Sequence, residues 1–576
     1  VVFQRMRVTE RLSSTTVRKR QRRADGRGRT DEEFGSSGPT CPGSLIVVSN
    51  RQPYRHEYED DAPAADADSA SGDGSPPTGA DGGARSTADA RSITVDEPTG
   101  GLTAGLDPVV QQTNGTWIAW GDGEADFDVT DERNCVAVPP DEEAYTLHRL
   151  DLSEEAVDSY YYGFSNRVLW PLCHGFPDLI EDRSNDFEWY RTVNERFAEA
   201  VADHATDDSV IWLQDYHLAL APRMIRESVP AGATVAQFWH IPWPSPSTFR
   251  YCPAGGHILE GLLGNDLLGF HVERYADQFL DCVDRFLPGA TVDYARRTVR
   301  YEGTTTRVVA TPMGVDAESY DRGARSTDPD RLSALFEEYG IPQGTMLGLG
   351  LDRLDYSKGI PERLAALERF FERNPDWRGE FTFVQKATPS RTEIDTYEEY
   401  GELVRSEVKR INRRFETDDW QPIVYTEDVL PEEDLYALYR RADVMVVSPL
   451  IDGMNLVAQE YIAASVDGDG ALLLSDRTGA HDRLGSHALT IDPTDTDGVA
   501  SQLEHALSMP PYERRRRMNT LRQRVFNGDI ESWMDTQFDW IRRVHGDRRP
   551  GDASAETGSG SGSDSGSDSK EPTPPA

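Results

Sequence analysis

The chain of 576 residues carries 60 Lys+Arg against 100 Asp+Glu, a formal net charge of -40. Such a surface repels a polyanion and excludes a general nucleic-acid binder, while the length suits two large α/β domains plus tails at roughly 100–200 residues per domain. No apolar run reaches the roughly 20 residues that span a bilayer and no hydrophobic signal core opens the chain, so no membrane partner is expected and the cytoplasm is the expected location.

Residues 1–43 are basic and polar, with Arg18, Lys19 and Arg20 adjacent, and are read as a disordered extension. Order is expected from the apolar strand 45–48 (LIVV), which Ser49, Asn50 and Arg51 follow at once. Residues 56–97 are mostly Asp, Ala, Gly, Ser and Pro, an acidic insertion expected to be disordered in a surface loop. Strands are predicted at 116–120 and 144–150, and helices at 153–162 and 187–204. The runs VIWL (210–213), TVAQFW (234–239) and DLLGF (266–270) read as central strands, and 298–309 supplies the last strands of this half.

A second alternation starts near Pro342. Strands are expected at 346–350, 381–385, 423–425, 444–447, 471–474 and 488–491, with helices at 361–372, 394–415, 431–441 and 499–507. Strand–helix alternation requires parallel sheets with helices on both faces. The expected divisions are an N-terminal Rossmann-like domain 44–335, a C-terminal Rossmann-like domain 336–510, helices over 511–546 that pack back toward the first half, and a disordered tail 547–576.

The stretch 450–460 (LIDGMNLVAQE) follows the apolar run 443–447 and leads into a helix. Strand-to-helix junctions of open α/β sheets bind ligands, and a helix start offers free N–H groups and positive dipole to a phosphate. Glu460, two turns in, is placed to meet a ribose. LDRLDYSKG (351–359) sets Arg353 and Lys358 at the end of another strand. They are phosphate cations on one reading and surface partners of Asp352 and Asp355 on the other. Asp215 and His240 follow neighbouring strands, and Arg391 lies in a loop after a third. The aromatic residues Tyr160, Tyr161, Tyr162, Trp120 and Trp170 offer flat faces for a sugar ring. The five cysteines form no C-x-x-C pair, which argues against a disulfide framework or a zinc site.

SNR (49–51), GGL (100–102), FSNRVLWP (164–171), IWLQDYHL (211–218), HIPWPSP (240–246), LDRLDYSKGIPER (351–363) and DGMNLVAQE (452–460) resemble, in order and spacing, the motifs of the trehalose-6-phosphate synthase family. The resemblance runs from about residue 45 to 541. It implies the GT-B architecture, with two Rossmann-like domains facing a deep cleft, and retaining transfer of glucose from UDP-glucose to glucose 6-phosphate. By position it implies donor contacts from Gly101, Arg353, Lys358, Asn455, Leu456, Val457 and Glu460. Acceptor contacts would come from Arg51, Tyr161, Trp170, Asp215 and Arg391. His240 and Asp452 would hold the transferred glucose and, with Arg353 and Lys358, form the catalytic set. No metal or cofactor is expected, a separate phosphatase would act on the product, and a homo-oligomer is left open. So is the nucleotide: UDP, ADP or GDP. A relative using another acceptor such as glycerol 3-phosphate, or a silent sugar-phosphate sensor, are the alternatives. A sensor would be expected to lack Arg353, Lys358 or Asp452. Lysine is confined to Lys19, Lys358, Lys386, Lys409 and Lys570, and abundant Asp with so little Lys suits a protein kept in solution at high salt, so a salt-loving source is expected.

Overall fold

The computed structural model describes residues 41, 43–59, 92–97 and 101–548. The expectations for residues 1–40, for the middle of the acidic insertion (60–91) and for the tail beyond 548 lie outside the described residues. Two parallel sheets organise the rest. A 10-stranded sheet runs, in spatial order, Thr291–Asp293, Thr298–Tyr301, Thr304–Ala310, Leu267–Phe270, Thr234–Trp239, Val210–Gln214, Leu45–Arg51, Thr116–Trp120, Tyr145–Leu150 and Cys135–Val138. Only its margins are antiparallel: the hairpin through 291–310 at one side and Cys135–Val138 at the other. A 6-stranded, wholly parallel sheet follows in the order Ile423–Thr426, Phe381–Thr388, Met346–Arg353, Val444–Val447, Ala471–Ser475 and Leu489–Ile491.

Successive strand residues point to opposite faces, and with helices on both sides each face must be apolar. In Leu45–Arg51, Ile46 and Val48 join one core with Ile211 and Leu213, while Leu45 and Val47 join the other with Val210 and Trp212. The second sheet repeats the scheme: Met445, Val447, Leu472 and Leu474 face one core, and Val444, Val446, Ala471 and Leu473 the other. Two doubly wound sheets in this arrangement are the GT-B architecture. No helix of the described residues is long and apolar enough to cross a membrane.

Buried arginines tie the loops at the strand ends. Arg149, fully buried, donates to Gln52 Oε1 at 2.8 Å, Asp126 O at 2.7 Å and Tyr54 O at 3.0 Å, which binds the segment after the first strand to the loop around Asp126. Arg363 does the same in the second half. It reaches Asp352 Oδ2 at 2.6 Å, Gln385 Oε1 at 2.9 Å and Ser448 Oγ at 3.0 Å, three groups on or just after three neighbouring strands. Gly350 makes room for it, since a Cβ there would stand 2.5 Å from Arg363 Nη1.

Several expectations need correction. The margins of the acidic insertion are ordered: Arg55–Tyr58 pairs antiparallel with Ile93–Asp96 as a small ribbon. The predicted helix 153–162 is a single turn, Glu154–Ala156, that continues as a wide π-type segment Val157–Leu169, broken at Gly163. Wide turns of this kind splay side chains and recur at functional sites. The expected boundary at 335/336 cuts through the helix Pro329–Glu338, and Ala324 and Leu335, on its first-half side, lie in the second core with Phe336. Finally, of the C-terminal helices only the second packs back toward the first half. Pro511–Phe526 packs on the second core through Met518, Leu521 and Val525. Ile530–Arg548 crosses to the first sheet, where Trp533 packs 5.6 Å from Trp212 and donates Nε1 to Thr311 O at 3.2 Å. That helix also carries residues 547 and 548, which the sequence reading placed in a disordered tail.

Arg363→Leu should cost about 3–5 kcal/mol, because it strands the buried Asp352 carboxylate without its cation. Urea unfolding of the two proteins checks this, and a difference below about 1 kcal/mol, the range of an exposed pair, counts against it.

Candidate active site

In each sheet the chain works outward in one direction and then returns to continue in the other. The reversal lies between Leu45–Arg51 and Val210–Gln214 in the first sheet and between Met346–Arg353 and Val444–Val447 in the second. Loops diverge at such points and leave a crevice at the carboxyl ends of the strands. The segments leaving these four strands carry Arg51, Asp215, Lys358 and Asp452, and contacts between the halves bring them together. Gly453 passes so close to the first half that a Cβ would stand 2.3 Å from His240 O. Beside it Tyr275, from the first half, donates its hydroxyl to Asp452 O at 3.0 Å.

On the second-sheet side, Lys358 Nζ donates to Asp452 Oδ2 at 2.7 Å, with 12% and 14% of the two side chains exposed. Asn455 Nδ2 donates to the same oxygen at 3.2 Å, while its Oδ1 caps the helix Leu456–Ala464 by accepting from Ala458 N at 3.0 Å. Asn455 holds φ 91 to do both, a conformation asparagine tolerates better than most residues. The N–H groups of Leu456 and Val457 then have no intrahelical acceptor. Burial works to raise the Asp452 carboxyl, but the Lys358 ammonium outweighs it and holds the group below the ordinary aspartate value.

The alternative of surface pairing with Asp352 and Asp355 fails for Lys358, whose partner is Asp452, and survives for Arg353 only as a 3.9 Å contact with a buried Asp355. Asp352 belongs to Arg363 and Asp355 to Arg391, whose Nη1 lies 3.1 Å away. Asp355 is fully buried; burial pushes its carboxyl up, yet Arg391, Arg353 and Lys358 hold it down at about 2. Arg353 remains 41% exposed, 3.9 Å from Asp355, with its guanidinium 5.4 Å from the Trp170 ring.

On the first-sheet side, Trp170 is the meeting point. The Arg391 guanidinium stacks 3.9 Å from its ring centroid, a cation–π contact, and also donates to Tyr397 Oη at 2.7 Å and Tyr216 Oη at 3.4 Å. Arg51 Nη2 reaches Tyr161 Oη at 3.3 Å, and Tyr161 stacks on His217. Burial raises the Tyr161 phenol, but Arg391 and Arg51 outweigh it and leave it below its ordinary value. Asp215, at φ 70, accepts through Oδ1 from Tyr216 N at 2.9 Å and His240 N at 3.3 Å, and burial pushes its carboxyl up to about 7. His240 Nε2 lies 3.0 Å from Gln214 Oε1, and burial keeps its imidazole well below the ordinary histidine value, hence neutral.

Two further expected donor contacts lie on other elements. Glu460 accepts from Tyr439 Oη at 2.7 Å, and burial raises its carboxyl. Gly101 begins the helix Gly101–Thr113. Sequence reasoning passed over Asp355 as a surface charge, and it passed over Tyr275, Tyr397 and His174, the last stacked 4.0 Å from Trp170. For Asp355 a signal existed, its place between Arg353 and Lys358 at a strand end. For the other three no local pattern marks them, because only the fold brings them to the cleft.

Comparisons with known proteins identify the family. The family model "Glycosyltransferase family 20" matches residues 80–543. A trehalose-6-phosphate synthase of Mycolicibacterium vanbaalenii is 38% identical over 451 residues, covering 76% of this chain and 90% of that one. A bifunctional trehalose-6-phosphate synthase/phosphatase of Thermoproteus tenax is 37% identical over 436 residues; the match covers 75% of this chain and spans 57% of the relative's length. Among solved structures, the UDP-forming alpha,alpha-trehalose-phosphate synthase of Burkholderia xenovorans in complex with glucose-6-phosphate has a TM-score of 0.71 at 30% identity, covering 86% of this chain and 100% of that one. The E. coli structure bound with UDP-2-fluoro glucose has a TM-score of 0.72 at 30% identity, covering 87% and 99%. With most of the described chain and both sheets accounted for, the protein belongs to glycosyltransferase family 20.

Proposed function

We propose that this chain transfers glucose from UDP-glucose to glucose 6-phosphate with retention at the anomeric carbon, forming α,α-trehalose 6-phosphate and UDP. The observation that carries the reading is Trp170, with Arg391 at 3.9 Å and Arg353 at 5.4 Å from its ring. One aromatic surface is thus shared by a cation suited to an acceptor phosphate and a cation suited to a donor diphosphate. The relatives' recorded substrates, a glucose 6-phosphate and a UDP-glucose analogue, are of these two kinds.

In this reading the second sheet holds the donor. Arg353, Lys358 and the N–H groups at Asn455, Leu456 and Val457 take up the charge that grows on the leaving diphosphate. Gly101 allows close backbone approach, and Glu460 receives the ribose. His240 and Asp452 hold the glucosyl ring. The first sheet holds the acceptor through Arg51, Tyr161, Trp170 and Asp215, with Arg391 reaching across from the second half. The bond from C1 to the phosphate oxygen breaks, the acceptor hydroxyl oxygen bonds to C1 on the same face, and its proton passes to the departing phosphate. Fixed positive charge serves this chemistry because the leaving group becomes anionic as the anomeric centre becomes cationic. A phosphatase acting on the product completes the route to the free disaccharide, and in the T. tenax relative that activity is fused to the synthase.

Lys358→Ala should reduce turnover about 10²–10³-fold, the usual loss when one group stabilising developing charge is removed. Circular dichroism and thermal unfolding control for the fold, and near-normal turnover contradicts the assignment. The acceptor side has its own pH signature. With Asp215 at about 7 when folded and about 3.9 when unfolded, the folded protein binds the more protons between those values, so this group's contribution to stability falls as pH rises through that window. Asp215→Asn keeps an oxygen for both backbone donors and should therefore stabilise the protein more at pH 8 than at pH 5. Equal effects at both pH values in urea titrations would exclude a raised Asp215.

A further inference from the structure

Away from the cleft, at the margin of the first sheet, Cys135, His148 and His204 bring one thiol and two imidazoles within 4.8 Å of one another, all three half-buried. We propose that these residues form a binding site for a zinc-class divalent cation, a structural site separate from the glycosyl-transfer cleft.

The fold builds the trio from three elements. Cys135 and His148 are direct cross-strand partners in the antiparallel pair Cys135–Val138 and Tyr145–Leu150, so their side chains leave the same face with Cβ atoms about 4.5–5.5 Å apart. His204 is the last residue of the helix Asp186–His204, which packs on that face. His148 Nδ1 and His204 Nε2 already stand 3.0 Å apart. In a tetrahedral zinc shell, with Zn–N about 2.0 Å and Zn–S about 2.3 Å, neighbouring ligand atoms lie about 3.3–3.6 Å apart. The imidazoles therefore need only a small separation, and the Cys135 thiol, on an edge strand, a side-chain rotation.

The surroundings favour a cation. A helix C-terminus presents negative dipole where His204 ends it. The Asp203 and Asp131 carboxylates favour positive charge at His148, against burial, the neighbouring His204 and the Arg133 guanidinium. One thiolate and two imidazoles are the donor set that zinc prefers over magnesium or calcium. An open fourth position remains for water. Binding displaces the thiol proton, which leaves as the Sγ–metal bond forms. Cysteine spacing hides such a site because no two ligands are close in sequence; His148 and His204 are 56 positions apart.

The test uses the full chain, treated with chelator and titrated with Co(II) alone. The expected result is one equivalent bound, with a thiolate-to-cobalt charge-transfer band and visible bands of a tetrahedral ion, both abolished by one equivalent of Zn(II). Cys135→Ser should remove the charge-transfer band, and His204→Gln should weaken binding at least tenfold, while both variants keep wild-type glycosyl transfer as a measure of folding. Zn(II) should raise the Tm of the wild type and not of Cys135→Ser. No thiolate band in the wild type, or a band that survives in Cys135→Ser, overturns the proposal.

Discussion

The Lys358–Asp452 pair, 2.7 Å long and almost sealed from solvent, is the contact on which the cleft depends. It joins the two loops that diverge at the switch point of the second sheet, and each loop is pinned by a glycine. Gly359 turns at φ 64, where a Cβ would strike Ser448 O, and Gly453 lets its loop lie against His240 and Ile241 of the first half. A buried ion pair contributes little net stability, since desolvation offsets its Coulombic gain. Its value here is positional: the ammonium keeps donors to spare beside the helix start at Asn455, and the carboxylate stays ionised.

Charge distribution extends the same logic. The protein as a whole carries -40, yet Arg353 and Arg391 lie against Trp170, Arg51 against Tyr161 and Lys358 against Asp452. Such local positive charge favours anionic ligands in the cleft of a chain that otherwise repels them. Low-dielectric walls of tyrosine and tryptophan strengthen that local field. Asp355 stabilises the crowding of like charges from below, buried and ionised between Arg391, Arg353 and Lys358. A reaction that turns a neutral anomeric centre and a diphosphate ester into separated charges is served by such fixed groups, which need no reorganisation as the bond breaks.

Much of this was readable from the chain. LIVV, VIWL and TVAQFW are apolar runs between helical stretches, so buried parallel strands follow from composition alone. SNR, DYSKG and DGMNL sit just after such runs, where an open sheet places its ligands. Other features depend on information no local window holds. The ribbon of RHEY with ITVD is too short and too polar to stand out from the acidic insertion around it. The helices Ala317–Ser326 and Pro329–Glu338 have apolar faces, but periodicity does not tell which sheet they cover. Asp355 looked solvated because it lies among charges, and its burial comes from Arg391, 36 positions away. Tyr275, likewise, is an ordinary helical aromatic until the fold sets its hydroxyl on the Asp452 carbonyl.

The product formed in the cleft is the decisive observable. Incubating the protein with UDP-glucose and glucose 6-phosphate and determining the product's anomeric configuration by proton NMR tests the proposed reaction most directly. The proposed reaction predicts a 1,1-linked disaccharide phosphate with both anomeric centres α, formed in step with UDP. A β configuration at the transferred glucose, or UDP release that is indifferent to glucose 6-phosphate, would contradict it.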